Sequence, residues 1–249
     1  MVIAIIALLI GILLPALGRA RDAGRFMVCL SNQRQIGMAL SMYASTYKDY
    51  TPRESGTSEA FGRPQVPAYP GSQYNLAWPF QLRPFLDPEA RTDVPDGGMR
   101  DKYARAVYYR DPARPKDPHN IHYVNNGLAF LRPGIVASYS KPPTPLHRYS
   151  RTSDVIYLTC LTDDPNGQRW GTWYSPANRE IDIAIYYDMW RASNVNGIGG
   201  NSAQTWQRTA PKRHSSGSAA MYMDGHADGL ERDKVTDIRS WDDGDYKRF

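Results

Sequence analysis

The sequence has few cysteines and no run of like charges, and each of these absences excludes a class of protein. Two cysteines in 249 residues, Cys29 and Cys160, build no disulfide framework and do not match the paired spacings of a zinc site. They allow one disulfide, which would need an oxidising compartment. The net charge of +5 comes from 30 basic and 25 acidic residues spread along the chain, which argues against nucleic acid as the main partner.

Familiar catalytic signatures are also missing from the sequence. It contains no G-x-S-x-G, no phosphate-binding G-x-x-x-x-G-K-[ST] and no H-E-x-x-H. Its five histidines show no i, i+4 spacing and no cysteine pair joins them, which disfavours a histidine-based metal site. A composition of 41% hydrophobic and 22% charged residues nevertheless indicates a folded chain. We therefore expect a globular protein that is not an enzyme.

Charge is absent from the start of the chain. Residues 2–17 (VIAIIALLIGILLPAL) would expose apolar surface all round a helix, so lipid or protein must cover them. The tract is a few residues shorter than the ~20 that span a bilayer. Basic residues follow it, beginning with Arg19, and none precedes it, which is the reverse of a cleaved signal peptide. We predict that residues 1–18 form a membrane or filament-core segment.

The helix is predicted to continue beyond this segment as an amphipathic element over residues 19–50. Apolar positions recur there at intervals of three and four residues. One helix of roughly 45 residues is expected, far above the mean of ~11–12, with a kink at Gly11 and Pro15. The predicted inner face comprises Phe26, Cys29, Leu30, Gln33, Ile36, Gly37, Leu40, Tyr43, Ala44 and Tyr47, and the other faces carry Arg21, Arg25, Asn32, Arg34, Ser41 and Lys48.

The remaining residues, 51–249, are predicted to form an α+β head. Prolines and glycines interrupt regular structure between residues 51 and 118, so long loops with short helices are expected there. The Asp224-Gly225 pair suits a two-residue type I′ hairpin turn. A long helix followed by antiparallel strands indicates that the helix lies across one face of the sheet. Strands are predicted at 122–131, 155–162, 181–190 and 219–230.

Acidic residues beside glycines suggest calcium as the one cofactor to consider. Calcium prefers hard oxygen ligands around a turn. Asp and Gly are also the usual residues of turns, so a plain turn is the favoured interpretation and no cofactor is expected. The calcium candidates are Asp163, Asp164 and Asn166 before Gly167, and Asp242, Asp243 and Asp245 around Gly244.

Residues 2–52 (VIAIIALLIGILLPALGRARDAGRF and onward) resemble the N-terminal helix of the type IV pilin and type II secretion pseudopilin superfamily. His214, separated by nine residues from Asp224-Gly225, is similar to the H-x9-DG signature of one pilin-like subgroup. Segments 76–88, 122–126 and 150–164 are similar to further motifs of that subgroup, and residues 237–245 resemble the calcium loop of major pseudopilins.

The chain departs from the pattern of this superfamily in two places. The prepilin methylation motif, with a basic leader, a glycine at the cleavage point and a glutamate at the fifth mature position, does not precede the apolar tract. We therefore expect the true start, and processing by a prepilin peptidase, to lie upstream of Met1. The subgroup also often has a Cys-Pro pair in mid-chain, where this sequence has Asp111 before Pro112.

The resemblance implies a structural subunit of an envelope-spanning type II secretion or type IV pilus-like filament. Its helix would be a single-pass anchor in the bacterial inner membrane, with the head in the periplasm or outside the cell. Its partners would be copies of itself and other pilin-like subunits, bound through the helix.

Two other functions are considered beside the filament subunit. Six tryptophans and seventeen tyrosines would suit a membrane-anchored module that binds polysaccharide or protein at its surface. An anchored hydrolase is the third hypothesis, because two carboxylates can hydrolyse glycosides. Its carboxylates would be drawn from Asp154, Asp163, Asp182 and Asp188.

Overall fold

One helix dominates the fold. The structure, a computed structural model, describes residues 2–52, 78–87, 106–117, 120–141, 143–162, 187–200 and 205–246. Helix α1, Val2–Thr46, runs for 45 residues through Gly11, Pro15 and Gly24 without interruption. The prediction of a single long helix is therefore confirmed, whereas the degree of bending at Pro15 stays a prediction.

The burial of α1 changes along its length. Every side chain from Val2 to Gly24 is exposed, and burial begins at Cys29. The predicted inner face is buried, with half-buried residues at its two ends. The placement of Asn32 on another face is wrong: its side chain is buried because its Nδ2 donates a hydrogen bond of 2.9 Å to the carbonyl of Arg110. The buried residues are Cys29, Leu30, Asn32, Gln33, Ile36, Gly37, Ala39, Leu40, Tyr43 and Ala44.

The strands of the head are β1 Tyr123–Asn126, β2 Leu128–Arg132, β3 Ile135–Ser140, β4 Ile156–Cys160, β5 Asp188–Met189, β6 Ser218–Tyr222 and β7 Ala227–Leu230. They form a five-stranded sheet in the order β5-β1-β4-β6-β7 and a separate β2-β3 hairpin. The α+β class is confirmed, but the sheet is mixed, because β5 lies parallel to β1 with Asn125 opposite Asp188. Parallel neighbours require a long connection, and β1 is joined to β5 by the chain that contains β2, β3 and β4.

The strand predicted at 122–131 is divided in two at Gly127. A Cβ atom at this position would lie 2.5 Å from the carbonyl oxygen of Met189. The close approach of the β5 backbone therefore ends β1 and turns the chain into β2. The strand predicted at 155–162 is confirmed as β4, and the part of the 181–190 prediction before residue 187 lies outside the described residues.

The described part of the head also contains short helices: α2 Trp78–Leu86, α3 Ala192–Asn196 and α4 Arg232–Thr236, with 3-10 turns at Val107–Tyr109, Leu146–Arg148 and Ile238–Trp241. Helix α2 lies in the proline-rich region and packs on α1, where the Tyr43 hydroxyl and Gln81 Oε1 form a hydrogen bond of 2.7 Å.

Helix α1 lies across β6 and β7, as the sequence predicts. Gln33 Nε2 donates to the carbonyl of Ala219 at 3.3 Å, and Arg34 donates to the carbonyl of Ala227 at 3.1 Å. These polar contacts flank an apolar interface in which Ile36 meets the sheet core. The helix therefore has a defined register on the hairpin.

The β6–β7 hairpin is confirmed, but its turn differs from the predicted two-residue type I′ turn. The N–H of Tyr222 donates to the carbonyl of His226, and the N–H of Gly225 donates to the carbonyl of Tyr222, both at 2.9 Å. Within this three-residue loop only Gly225 has a positive φ, 88°, whereas a type I′ turn requires two such residues. The glycine is required by the loop, but the loop is one residue longer than expected.

Candidate functional site

The first part of α1 presents an apolar surface that the described head residues do not cover. Its large side chains are 48–83% exposed between Val2 and Leu17. Among the described residues, α1 is the one helix long and apolar enough to cross a membrane, and none of its apolar window is buried. Lipid or protein must cover this surface in the cell.

A line of methionines extends the apolar surface along the outer side of α1. Met27, Met38 and Met42 are 60%, 61% and 53% exposed. Spacings of eleven and four residues place these side chains near one another around the helix axis. The outer side of α1 therefore carries three exposed methionines beside the head, among polar residues such as Ser31 and Arg34.

Four buried side chains meet where α1 enters the head. They are Cys29 of α1, Asp111 after the first 3-10 turn, Cys160 at the end of β4, and His214 before β6. One ligand atom from each lies within 4.8 Å of the others. The two sulfur atoms are 3.9 Å apart, and His214 Nε2 is 3.9 Å from Asp111 Oδ2. We call these four residues the thiol–carboxylate cluster.

Backbone contacts fix the positions of Asp111 and His214. The N–H of Ala113 donates to Asp111 Oδ1 at 2.8 Å, and the N–H of Asp111 itself donates to His122 Nδ1 at 2.9 Å. The N–H of His214 donates to the carbonyl of Gly217 at 2.8 Å. Asp111 Oδ2 and His214 Nε2 are buried and make no hydrogen bond of ordinary geometry with any described residue.

Three polar side chains surround the thiol–carboxylate cluster. The Tyr123 hydroxyl lies 3.5 Å and Gln33 Nε2 lies 3.9 Å from Cys29 Sγ. Tyr123 is opposite Cys160 in the β1–β4 register, so the sheet itself places this hydroxyl. The guanidinium of Arg213 approaches Asp111 Oδ2, with Nε at 3.5 Å. Both cysteines and Asp111 therefore face polar or cationic groups.

The electrostatics of the cluster favour a thiolate at Cys160. Burial opposes this, but hydrogen bonds from Cys29 and His214 and the charge of Arg213 outweigh burial and hold the pKa of Cys160 well below its ordinary value. Burial, reinforced by the negative charge of Cys160, raises the pKa of Asp111 to about 7.

The charge of Cys160 also acts on the neighbouring imidazole. Burial lowers the pKa of His214, but the hydrogen bond to Cys160 and the negative charges of Cys160 and Asp111 raise it above its ordinary value overall. Two thiols at this distance can form a disulfide, and the full donor set can hold a soft or borderline metal ion.

The structure brings three sequence-predicted site residues together and adds one that the sequence analysis missed. Cys29, Cys160 and His214 meet in the cluster, although they come from unconnected motifs. Asp111 was not predicted as a site residue, although the sequence placed it where the resembling subgroup often has cysteine. The replacement of a cysteine by Asp111 could have indicated a metal ligand, because aspartate and cysteine both bind metal ions.

Asp224 and Gly225 lie apart from the cluster and support α1 further along its length. A Cβ atom on Gly37 would lie 2.5 Å from the Gly225 carbonyl oxygen, so helix and turn touch backbone to backbone. The Asp224 carboxylate accepts a hydrogen bond of 3.0 Å from the N–H of His226, which stabilises the loop. His214 and the Asp-Gly turn therefore hold α1 at two separate points.

The acidic loop at the C-terminal end already holds a protein cation. Lys141 Nζ, which is fully buried, pairs with Asp243 and lies 3.3 Å from Asp245, whose other oxygen accepts a bond of 2.8 Å from Arg148. Asp242 accepts hydrogen bonds from the backbone N–H groups of Gly134 and Gly244. A lysine thus pairs with two of the three predicted calcium candidates in this loop, Asp243 and Asp245. Asp163, Asp164 and Asn166 lie outside the described residues.

Comparison with known proteins yields one partial match. A family model described as a protein of unknown function (DUF1559) matches residues 18–96, about a third of the chain. The matched region begins at the end of the apolar tract and stops well before His214, Asp224 and Gly225. No curated protein and no solved structure matches the sequence.

Proposed function

We propose that this protein is a pilin-like structural subunit, anchored in a membrane by residues 2–17 of α1 and assembled through that helix into a filament of the type II secretion or type IV pilus kind. The main observation behind the proposal is that the first part of α1, from Val2 to Gly24, projects from the head. A helix exposed from Val2 to Gly24, yet continuous with one that is buried from Cys29, belongs to two environments. The match to the DUF1559 family is compatible with this role.

Assembly exchanges one apolar environment for another. Lipid covers the projecting helix before assembly, and neighbouring copies cover it afterwards, so the apolar surface stays out of water throughout. The exposed line of Met27, Met38 and Met42 gives neighbouring subunits a flexible apolar contact beyond the membrane. Contacts that repeat head to tail without closing generate a helical polymer, which is a filament.

Surface aromatics do not favour the glycan-binding alternative. Trp78 and Trp241 are fully buried, and Tyr246 is the one exposed aromatic among the side chains that the structure describes. A sugar-stacking platform requires exposed rings. No described surface supplies it, and we keep the filament subunit as the single proposal.

Membrane anchoring is tested by placing a charge in the apolar tract. We expect Leu9→Arg to shift the protein from the membrane to the soluble or degraded fraction, because arginine near a helix centre costs about 2.5–3.5 kcal/mol of insertion free energy. Alkaline extraction of membranes measures the shift. Val107→Arg, at an exposed apolar position of the head, is the matched control and should leave the protein in the membrane. Equal extraction of both variants would argue against the anchor.

Filament assembly is tested by photo-crosslinking in cells. A benzophenone amino acid at Leu13 or Met38 should give ladders of crosslinked chains, because both positions face neighbouring helices in the proposed filament. The same probe at the exposed Lys234, on the head, serves as the control and should give mainly monomer. If position 13 yields lipid adducts alone and position 38 yields no chain-to-chain product, the protein is a tether and the filament proposal fails.

A further inference from the structure

We propose that Cys29, Asp111, Cys160 and His214 bind one Zn²⁺ ion in a closed four-ligand site that fastens α1 to the head. The inference is independent of filament assembly, since it rests on the geometry of the head alone. Four potential ligands from four separate chain segments converge within 4.8 Å, and all four are buried.

The distances between the donor atoms suit a tetrahedral ion. With a Zn–S bond of about 2.3 Å, two sulfur ligands of a tetrahedral ion lie about 3.8 Å apart. The Cys29 and Cys160 sulfurs are 3.9 Å apart. The 3.9 Å between His214 Nε2 and Asp111 Oδ2 would contract by about half an ångström, because Zn–N and Zn–O bonds are shorter.

The chemistry of the donors favours zinc over other common ions. Two thiolates and an imidazole select zinc over calcium and magnesium, which require oxygen ligands. Four protein ligands leave no open position, which is typical of a structural rather than a catalytic zinc site. The cluster is also at the entry of α1, where a structural crosslink has the greatest effect.

The surrounding charges balance a bound zinc ion. Two thiolates, the Asp111 carboxylate and a neutral imidazole carry three negative charges, of which Zn²⁺ neutralises two. Arg213, with its Nε 3.5 Å from Asp111 Oδ2, offsets the remaining charge. Tyr123 and Gln33 stand within 3.5 and 3.9 Å of Cys29 Sγ and act as outer donors to the sulfur.

Two polar atoms in the cluster decide between a metal ion and a disulfide. Asp111 Oδ2 and His214 Nε2 are buried and have only long polar contacts, with Arg213 Nε at 3.5 Å and His214 Nε2 at 3.9 Å from Asp111 Oδ2. Neither atom makes a hydrogen bond of ordinary geometry with a described residue, and a buried polar atom without one is costly. A Cys29–Cys160 disulfide would use both sulfurs, remove the negative charge of Cys160 beside His214, and give no new partner to Asp111 Oδ2 or His214 Nε2. A zinc ion would give a partner to all four side chains at once.

The first experiment measures metal binding by the full chain in detergent. The protein is reduced, stripped with a chelator, dialysed against Zn²⁺ and analysed for metal content. We expect close to one zinc ion per chain, and we expect Co²⁺ to give the visible and thiolate charge-transfer absorption of a tetrahedral sulfur site. Reduced, folded protein that takes up neither ion would overturn the proposal, and so would protein that forms a Cys29–Cys160 disulfide and binds no metal after that disulfide is reduced.

Variants then locate the ion. Cys160→Ser, His214→Gln and Asp111→Asn should each weaken zinc binding at least about 100-fold, since loss of an outer-shell partner alone costs 10- to 100-fold. His147→Gln, at an exposed histidine, is the matched control and should bind as the wild type does. Retention of wild-type affinity by the Cys160→Ser protein would place the ion elsewhere and sink the proposal.

If the variants of the four ligands misfold, a milder substitution next to a ligand still tests the proposal. Tyr123→Phe removes a hydroxyl near Cys29 Sγ and retains the buried ring. We expect zinc affinity to fall about 10-fold with helix content unchanged by circular dichroism. Unchanged affinity together with an unaltered Co²⁺ charge-transfer band would contradict the contact that the proposal places between the Tyr123 hydroxyl and a metal-bound sulfur.

Discussion

Replacing Lys141 with methionine is expected to lower the free energy of unfolding by about 3–5 kcal/mol, because the change leaves two buried carboxylates without their central cation. The side chain is 0% exposed and pairs with Asp243 and Asp245, which are themselves buried. Methionine has a similar length, so lost packing contributes little to the effect. Urea unfolding of the full chain in detergent, followed by tryptophan fluorescence, measures it.

Lys234→Met is the control for this charge removal. Lys234 forms an exposed pair of 3.9 Å with Glu231, and such surface pairs contribute at most about 1 kcal/mol. A large loss in the Lys141 variant and a small one in the Lys234 variant would show that burial makes the difference. Equal losses would mean that the acidic loop tolerates its charges without Lys141.

Gly37→Ala is expected to destabilise the head by about 1–3 kcal/mol, although alanine is the better helix former. The new Cβ atom would lie 2.5 Å from the carbonyl oxygen and 2.8 Å from the Cα of Gly225. Neither backbone can yield easily, because Gly225 has a φ of 88° in a closed loop. The helix must therefore move away from the hairpin, and the same urea titration reports the loss.

The same substitution elsewhere in α1 separates steric clash from helix propensity. A Cβ atom on Gly24 has no neighbour within 4 Å, so Gly24→Ala should be neutral or should stabilise the helix by up to about 1 kcal/mol. Opposite signs for the two variants are the expected outcome. A Gly37 variant as stable as the wild type would contradict the backbone contact between helix and turn.

Local patterns account for what the sequence predicted well. The three- and four-residue spacing from Cys29 to Ala44 directly encodes one buried helix face, and the head buries that face. Asn32 is a polar residue that is buried against the prediction, because its side-chain amide donates a hydrogen bond to the carbonyl of Arg110, which is distant in the sequence. The spacing of polar and apolar residues contains no information about a hydrogen-bond partner that is distant in the sequence.

Contacts between distant segments account for what the sequence missed. Asp111 joins Cys29 and Cys160 only because a 3-10 turn, a helix and a strand meet at one end of the head. Lys141 is more than a hundred residues from Asp243, so nothing in the acidic loop indicates that a lysine fills it. The parallel placement of β5 likewise depends on a long connection whose path no local motif specifies.

The exposed part of α1 projects from the head as a rod, and force on this rod acts on the head where burial of the helix begins, at Cys29. The 23 residues from Val2 to Gly24 extend for about 35 Å at ~1.5 Å per residue, outside the head. Force applied to this rod reaches the head first at the point where segments near positions 111, 160 and 214 grip the helix. Tension on the helix is therefore distributed over three chain segments at once. The contacts between the helix and the head then resist breaking one after another.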